Sequence, residues 1–235
     1  MRAVVLLAGL ALAALGGAQA TAASLRVSPV SLDLPAGQNA PPLPLQNDDA
    51  APLNVQIRVF RWTQANGRDV LTPATGVVAS PPIAKVEPGS SRTVRVVRLD
   101  GRPPEGEESY RLIVDELPPP LSESGRQVTL LMRHSIPLFF GSGRERPRIE
   151  WRLQPSEDGG AARVGRNTGA RRLRLANLKI GDASGAVLAE RKGLVGYVLP
   201  GAEVSWPAGA FQPAAGVRLI ADTDTGPIDA PLKSD

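Results

Sequence analysis

The chain has 235 residues, no cysteine, one histidine, and 27 Lys+Arg against 23 Asp+Glu, for a formal net charge of +4. Without cysteine and with a single histidine, Cys/His nucleophile pairs, ordinary zinc sites and disulfide frameworks are excluded, so any core must hold by burial alone. The positive charge is mostly arginine scattered along the chain, which argues against a nucleic-acid surface and leaves acidic partners open, a terminal carboxylate among them.

Arg2 precedes an apolar run, Ala3 to Leu15, and small residues follow up to Ala22. That order predicts a secretory signal over residues 1–22, cleaved after Ala20 or Ala22. The run is shorter than the about 20 apolar residues that a spanning helix needs. No second long apolar run follows, so the mature chain is not expected to insert in a membrane. Glycine and proline recur throughout, and short Val/Leu/Ile runs lie between turn signals. The pattern predicts an all-β chain, and the remaining length suits two sandwiches of about 100 residues each.

Leu25, Val27, Val30, Leu32 and Leu34 read as the first strand, with an apolar parity that flips at Pro29. This suits an edge strand that bulges or crosses between sheets. Leu43 and Leu45 alternate before Asn47-Asp48-Asp49. Leu53, Val55, Ile57 and Val59 alternate over a full strand, with Phe60 and Trp62 on its other face, and Asn66-Gly67 makes a turn. Strands are expected from Thr93 to Leu99 and from Tyr110 to Leu117. Gln127 to Phe140 is the longest strand expected in the chain. Gly141 to Arg148 is a polar, glycine-containing joint. Beyond it, strands are expected at Arg148 to Leu153, Arg172 to Ile180, Gly185 to Arg191, Gly196 to Leu199, Glu203 to Trp206 and Gly216 to Asp222. The fold class is two β-sandwich domains in a boomerang arrangement, over residues 23–143 and 144–235. No sequence repeat relates the halves.

Little in the chain could carry catalysis. His134 lies mid-strand, and no Gly-x-Ser-x-Gly elbow or Walker-type phosphate loop accompanies it. Asp222 to Gly226 has some of the spacing of a calcium loop, but the glycine falls early and the distal glutamate is absent. A hairpin turn with capping carboxylates is the expectation. Glu107-Glu108 is expected to face water. Asp115 and Glu116 are strand neighbours, which point to opposite faces and form no dyad. No enzyme activity, metal or cofactor is expected.

Interaction chemistry centres on Gln127 to Phe140. Val128, Leu130, Met132, His134, Ile136 and Leu138 share one face. These side chains either fill the domain core or, near the preceding loop, belong to an exposed edge that pairs with another chain.

Several landmarks then resemble, in order and spacing, the PapD-like pilus-assembly chaperones, most closely the archaic branch. They are Leu25-Arg26-Val27-Ser28-Pro29, Ser80-Pro81-Pro82, Val86-Glu87-Pro88-Gly89, Thr93 to Val96, Tyr110 to Pro119 and Ile136 to Phe140, with Trp62-Thr63-Gln64 before the first loop. The second half matches more loosely, through Asn167, Leu199-Pro200-Gly201 and the terminal hairpin near Asp222. The resemblance implies immunoglobulin-like domains and a periplasmic chaperone that caps pilus subunits by donor-strand complementation and passes them to an outer-membrane usher. It implies that Val128, Leu130 and Met132 fill the subunit groove. Relatives hold the subunit's terminal carboxylate with two basic residues, whose places fall here on Pro29 and Pro137. Arg95 and Arg111 are the substitutes considered. Relatives also link their domains through charges, for which Glu116, Asp222 and Arg144 are the expected residues. Two other readings remain: a secreted pilus subunit or adhesin, and a general extracellular immunoglobulin-like binding module. A subunit should be one incomplete sandwich. A binding module should carry loop aromatics, whereas only 4% of residues are aromatic and most fall in expected strands.

Overall fold

The computed structural model describes residues 25–35, 38, 40–119, 130–141, 143–155, 160–209 and 216–234. The expected signal segment lies outside them, as does Val128. Every described element is a strand, and four sheets result. The first sheet orders β1 (Leu25–Val27), β3 (Pro42–Asn47), β8 (Ser91–Arg98) and β6 (Val77–Ser80). The second orders β2 (Leu32–Pro35), β10 (Arg133–Gly141), β9 (Glu108–Leu117), β4 (Leu53–Ala65) and β5 (Arg68–Pro73), with β7 (Ile83–Val86) also on β4.

The two other sheets come from the second half. One orders β15 (Glu203–Gly209), β12 (Ala161–Asn167), β11 (Ile149–Pro155) and β18 (Lys233–Ser234). Its companion orders β14 (Val187–Val198), β13 (Leu173–Gly181), β16 (Arg218–Thr223) and β17 (Gly226–Pro231). Each pair of sheets closes on its own apolar cluster, so the molecule is two immunoglobulin-like sandwiches.

The start of the chain crosses between sheets, as the parity flip at Pro29 implied. Leu25 and Val27 are buried in the first sheet and Leu32 and Leu34 in the second. Val30, expected to continue the apolar face, is 80% exposed because it occupies the crossing itself. In β4, Val55 and Ile57 enter the first core, while Trp62, on the opposite parity, is buried in a third cluster with Phe139, Tyr197, Leu199 and Ala202. One strand thus serves two cores through its alternation. The β4–β5 hairpin turns on Asn66 and Gly67, both at positive φ (52° and 73°), as a two-residue turn of right-handed strands requires.

Three expectations for the strands are corrected. Among the described residues, the strand expected over 127–140 begins only at Arg133, and β4, with 13 residues, is the longest. The break expected between Gly185 to Arg191 and Gly196 to Leu199 is absent: β14 runs through, and glycines at positive φ accompany register shifts within the pairing with β13. No strand was expected at β5, β6, β7 or β12; in β12, Ala161, Ala162 and Gly165 carry almost no hydrophobic signal. Their smallness serves packing: a side chain at Gly165 would collide with the Trp151 ring.

Candidate functional site

The β10 strand is antiparallel to β9 along its whole length, in register Arg133↔Asp115 to Phe140↔Glu108. On its other side, β2 pairs only with Leu138 to Gly141. Among the described residues, Arg133 to Pro137 therefore present an unpaired edge. The Glu116 amide donates to the Met132 carbonyl. By the alternation of an antiparallel ladder, Arg133, Ser135 and Pro137 then turn their backbone groups away from β9. Pro137 has no N–H to offer there.

The side chains of this strand sort by depth. Ile136, Leu138 and Phe140 lie in the first core, and Phe139 joins the cluster shared with the second domain. His134 is half-buried, with no hydrogen-bond partner for Nε2 among the described residues. Ahead of the strand, Met132 is half-buried, Leu131 is 44% exposed and Leu130 is 79% exposed. Hydrophobic side chains left in water at the end of an unpaired edge form a ready surface for another strand.

Two successive acids hold the start of this edge from opposite faces. Asp115 binds Arg58 at 2.7 Å and also pairs with Arg133. Burial alone would raise its pKa, but the hydrogen bonds from Arg133 and Arg58 outweigh that and hold the carboxyl below its usual range. Glu116, 6% exposed, accepts the Leu25 amide at 3.2 Å on Oε1 and the Met132 amide at 3.1 Å on Oε2.

A second feature is the cleft between the domains. It measures about 380 Å³, and Arg111, Gln64, Asp69, Leu194, Tyr197 and Trp206 are among its lining residues. Arg111 lies opposite Pro137 in the ladder. Its guanidinium stacks 3.7 Å from the Trp62 ring centroid and 5.7 Å from that of Tyr197. Burial pushes its pKa down, against the pull of Asp69. Arg95, the other expected substitute, is exposed on β8 in the opposite sheet. Pro29 is exposed at the crossing, and Pro137 is buried.

Arginines just before the start of β13 tie the domains. Arg172 pairs with Glu107, binds Asp33 at 2.5 Å and stacks 3.5 Å from the Phe139 ring centroid, while Arg171 reaches Asp33 at 3.2 Å. Glu107, expected in water, is thus an interface residue. Gln64 donates to the Tyr197 carbonyl at 2.9 Å and accepts the Leu199 amide at 2.9 Å, and Gly67 bridges to Val204. Among the described residues, Glu116 and Asp222 make no hydrogen bond or ion pair across this interface. Glu116 stands at the opposite end of β9, and Asp222 accepts from Asn177 within its own domain. Arg144 is exposed in the joint between β10 and β11. The Asp222 to Gly226 segment is a hairpin turn, as expected, with Asp224 accepting the Arg174 amide. The Arg171-Arg172 pair just before an apolar strand was a signal for the interface, and Trp62-Thr63-Gln64 was another.

Two immunoglobulin-like sandwiches locked at one interface, the first with an unpaired strand edge, define the class: a two-domain all-β protein. Residues 24–141, half of the chain, match the family model described as pili and flagellar-assembly chaperone, PapD N-terminal domain. The protein belongs to this pilus-assembly chaperone family. Among solved structures, a chain of the CsuC–CsuE chaperone–tip adhesion subunit pre-assembly complex, from the archaic chaperone-usher Csu pili of Acinetobacter baumannii, is similar with a TM-score of 0.71 and 26% identity, over 91% of this chain and 100% of that one. The E. coli chaperone DraB is similar in fold, with a TM-score of 0.61 and 23% identity over 89% and 97% of the two chains. So is a chain of the Salmonella enterica SafA pilin–SafB chaperone complex, with a TM-score of 0.63 and 19% identity over 90% and 98%. Comparison with curated proteins by sequence returned no match.

Proposed function

We propose that this protein is a periplasmic, non-catalytic chaperone that caps pilus subunits by lending them the segment ahead of β10, and that it delivers them to an outer-membrane usher. The carrying observation is the unpaired edge from Arg133 to Pro137, running back into the exposed Leu130. A subunit lacking its last strand would take backbone hydrogen bonds from that edge and fill its groove with alternate side chains, for which Val128, Leu130 and Met132 are proposed. In the free protein Leu130 is 79% exposed, so its replacement tests capture more than folding. Leu130→Asp and Met132→Asp should abolish capture of a subunit while leaving circular dichroism and melting close to wild type, because a carboxylate entering an apolar pocket loses its hydration without a partner. Normal capture by folded variants would sink this assignment.

Arg111 is proposed as the group that holds the subunit's terminal carboxylate. It is the arginine that lies in the interdomain cleft beside Pro137, and no ion pair occupies it among the described residues. The domains are proposed to divide as residues 23–143 and 144–235.

A further inference from the structure

The geometry points to Glu116 as the positioning residue of the lent segment: its carboxylate clips the place where that segment leaves the sandwich to the edge of the opposite sheet. The proposal rests on the reading that the chain ahead of Arg133 is what a subunit receives. Leu25 begins β1, an edge strand of the first sheet, and Met132 immediately precedes β10, whose edge in the second sheet is open here. The two oxygens of one buried carboxylate take the amides of both, and the Glu116 amide returns a hydrogen bond to the Met132 carbonyl at 3.0 Å. Three bonds thus converge on one residue across the seam between the sheets.

Charge-assisted bonds of this kind are stronger than neutral ones. They fix Met132 from inside the seam, while Asp115 fixes Arg133 from the outer face. Just ahead of this double hold Leu131 is half exposed and Leu130 is in water. Held there, the segment starts in one register. A slip of one residue would turn every lent side chain to the wrong face. Glu116 does this through backbone amides, whatever side chains the client groove selects.

The test uses Glu116→Ala and Glu116→Gln in the full protein. Hydrogen exchange is read at the Leu25 and Met132 amides. Capture is read with the major pilus subunit of its own assembly system, expressed without its N-terminal extension. In Glu116→Ala both amides should exchange faster and capture should weaken by about tenfold, the loss expected for a charged acceptor. Glu116→Gln keeps one carbonyl oxygen and should fall between Ala and wild type. Unchanged exchange, normal capture by Glu116→Ala, or equal behaviour of Gln and Ala would overturn the proposal. If Glu116→Ala does not fold, Glu116→Gln decides alone: faster exchange with weaker capture supports the clip, and wild-type behaviour overturns it. Leu130→Asp runs alongside. If it captures normally, the reading of the segment fails and takes the clip's role with it. If it fails to capture while Glu116→Ala succeeds, only the clip is overturned.

Discussion

Asp115 is gripped by Arg58 and Arg133, and its carboxyl is held below its usual range. A group whose pKa is depressed by folding contributes stability above its unfolded value of about 3.9, and that contribution is lost as pH falls through the lower folded value. Asp115→Asn should therefore flatten the acid limb of a melting-temperature profile below about pH 4, while wild type falls steeply. Parallel limbs would mean that the pairs contribute nothing. Arg111 calls for a different measurement, because its proposed partner arrives with the client. Arg111→Ala should weaken capture of an intact subunit and leave capture of a subunit lacking its last residues almost unchanged. Arg111→Lys should rescue little, since an ammonium has no planar fork to lie flat on Trp62 or to grip a carboxylate with two parallel bonds. An equal loss on truncation in wild type and variant would remove Arg111 from that role.

At the level of strands and turns, the two domains repeat a device that the sequence hides. Asn47 ends β3 and is buried; its Nδ2 donates to the carbonyls of Ala51 and Val86, and its Oδ1 accepts the Asp49 amide. Asn167 ends β12 in the same way, with Nδ2 to Arg171 and Val198 and Oδ1 accepting the Gly169 amide. Asn167 also takes the Arg148 amide at 3.2 Å, so this corner holds the joint. A side chain at Gly169 would collide with the backbone of Arg146 and Arg148. Asn167→Ala leaves several buried backbone groups without partners and should cost about 3 kcal/mol or more, measured by denaturant unfolding. A cost below about 1 kcal/mol would show that water replaces the amide. Asn47 and Asn167 share only an alanine three residues on (Ala50, Ala170) and a leucine six on (Leu53, Leu173), a match too short to stand out as a repeat. Strands with clear alternation, such as Leu53 to Val59, were legible because one face is buried and the other is not. The interface charges were misplaced for a related reason. Alternation reports which face of β9 a residue takes, but not which end of the strand meets the second domain, and Glu116 and Glu107 lie at opposite ends.

The relation of the two sandwiches is set by three kinds of contact within one interface: the ring cluster of Trp62, Phe139 and Tyr197, the Gln64 amide, and the charges around Arg172. Trp62 is 1% exposed, and its ring centroid lies 5.2 Å from that of Tyr197, edge to face. Truncating a buried aromatic of this size costs about 3–5 kcal/mol. Here the loss falls on the coupling between domains, since Trp62 belongs to neither main core. Calorimetry should then show one unfolding transition for wild type and two separated ones for Trp62→Ala. A single transition in the variant would mean that the joint and the charges alone keep the domains cooperative.

In the proposed chaperone role, Pro137 bears on how the free protein is stored before a client arrives. An open edge with hydrophobic side chains is a template for its own kind, and concentrated chaperone would tend to polymerise strand on strand. The proline interrupts the row of outward donors after Ser135 and before β2 closes the edge. Any strand docking there meets no donor at Pro137. In the proposed role, a contact between two copies would lose its bond at Pro137 and stay weaker there than an unbroken strand pair, which leaves the edge free for a client.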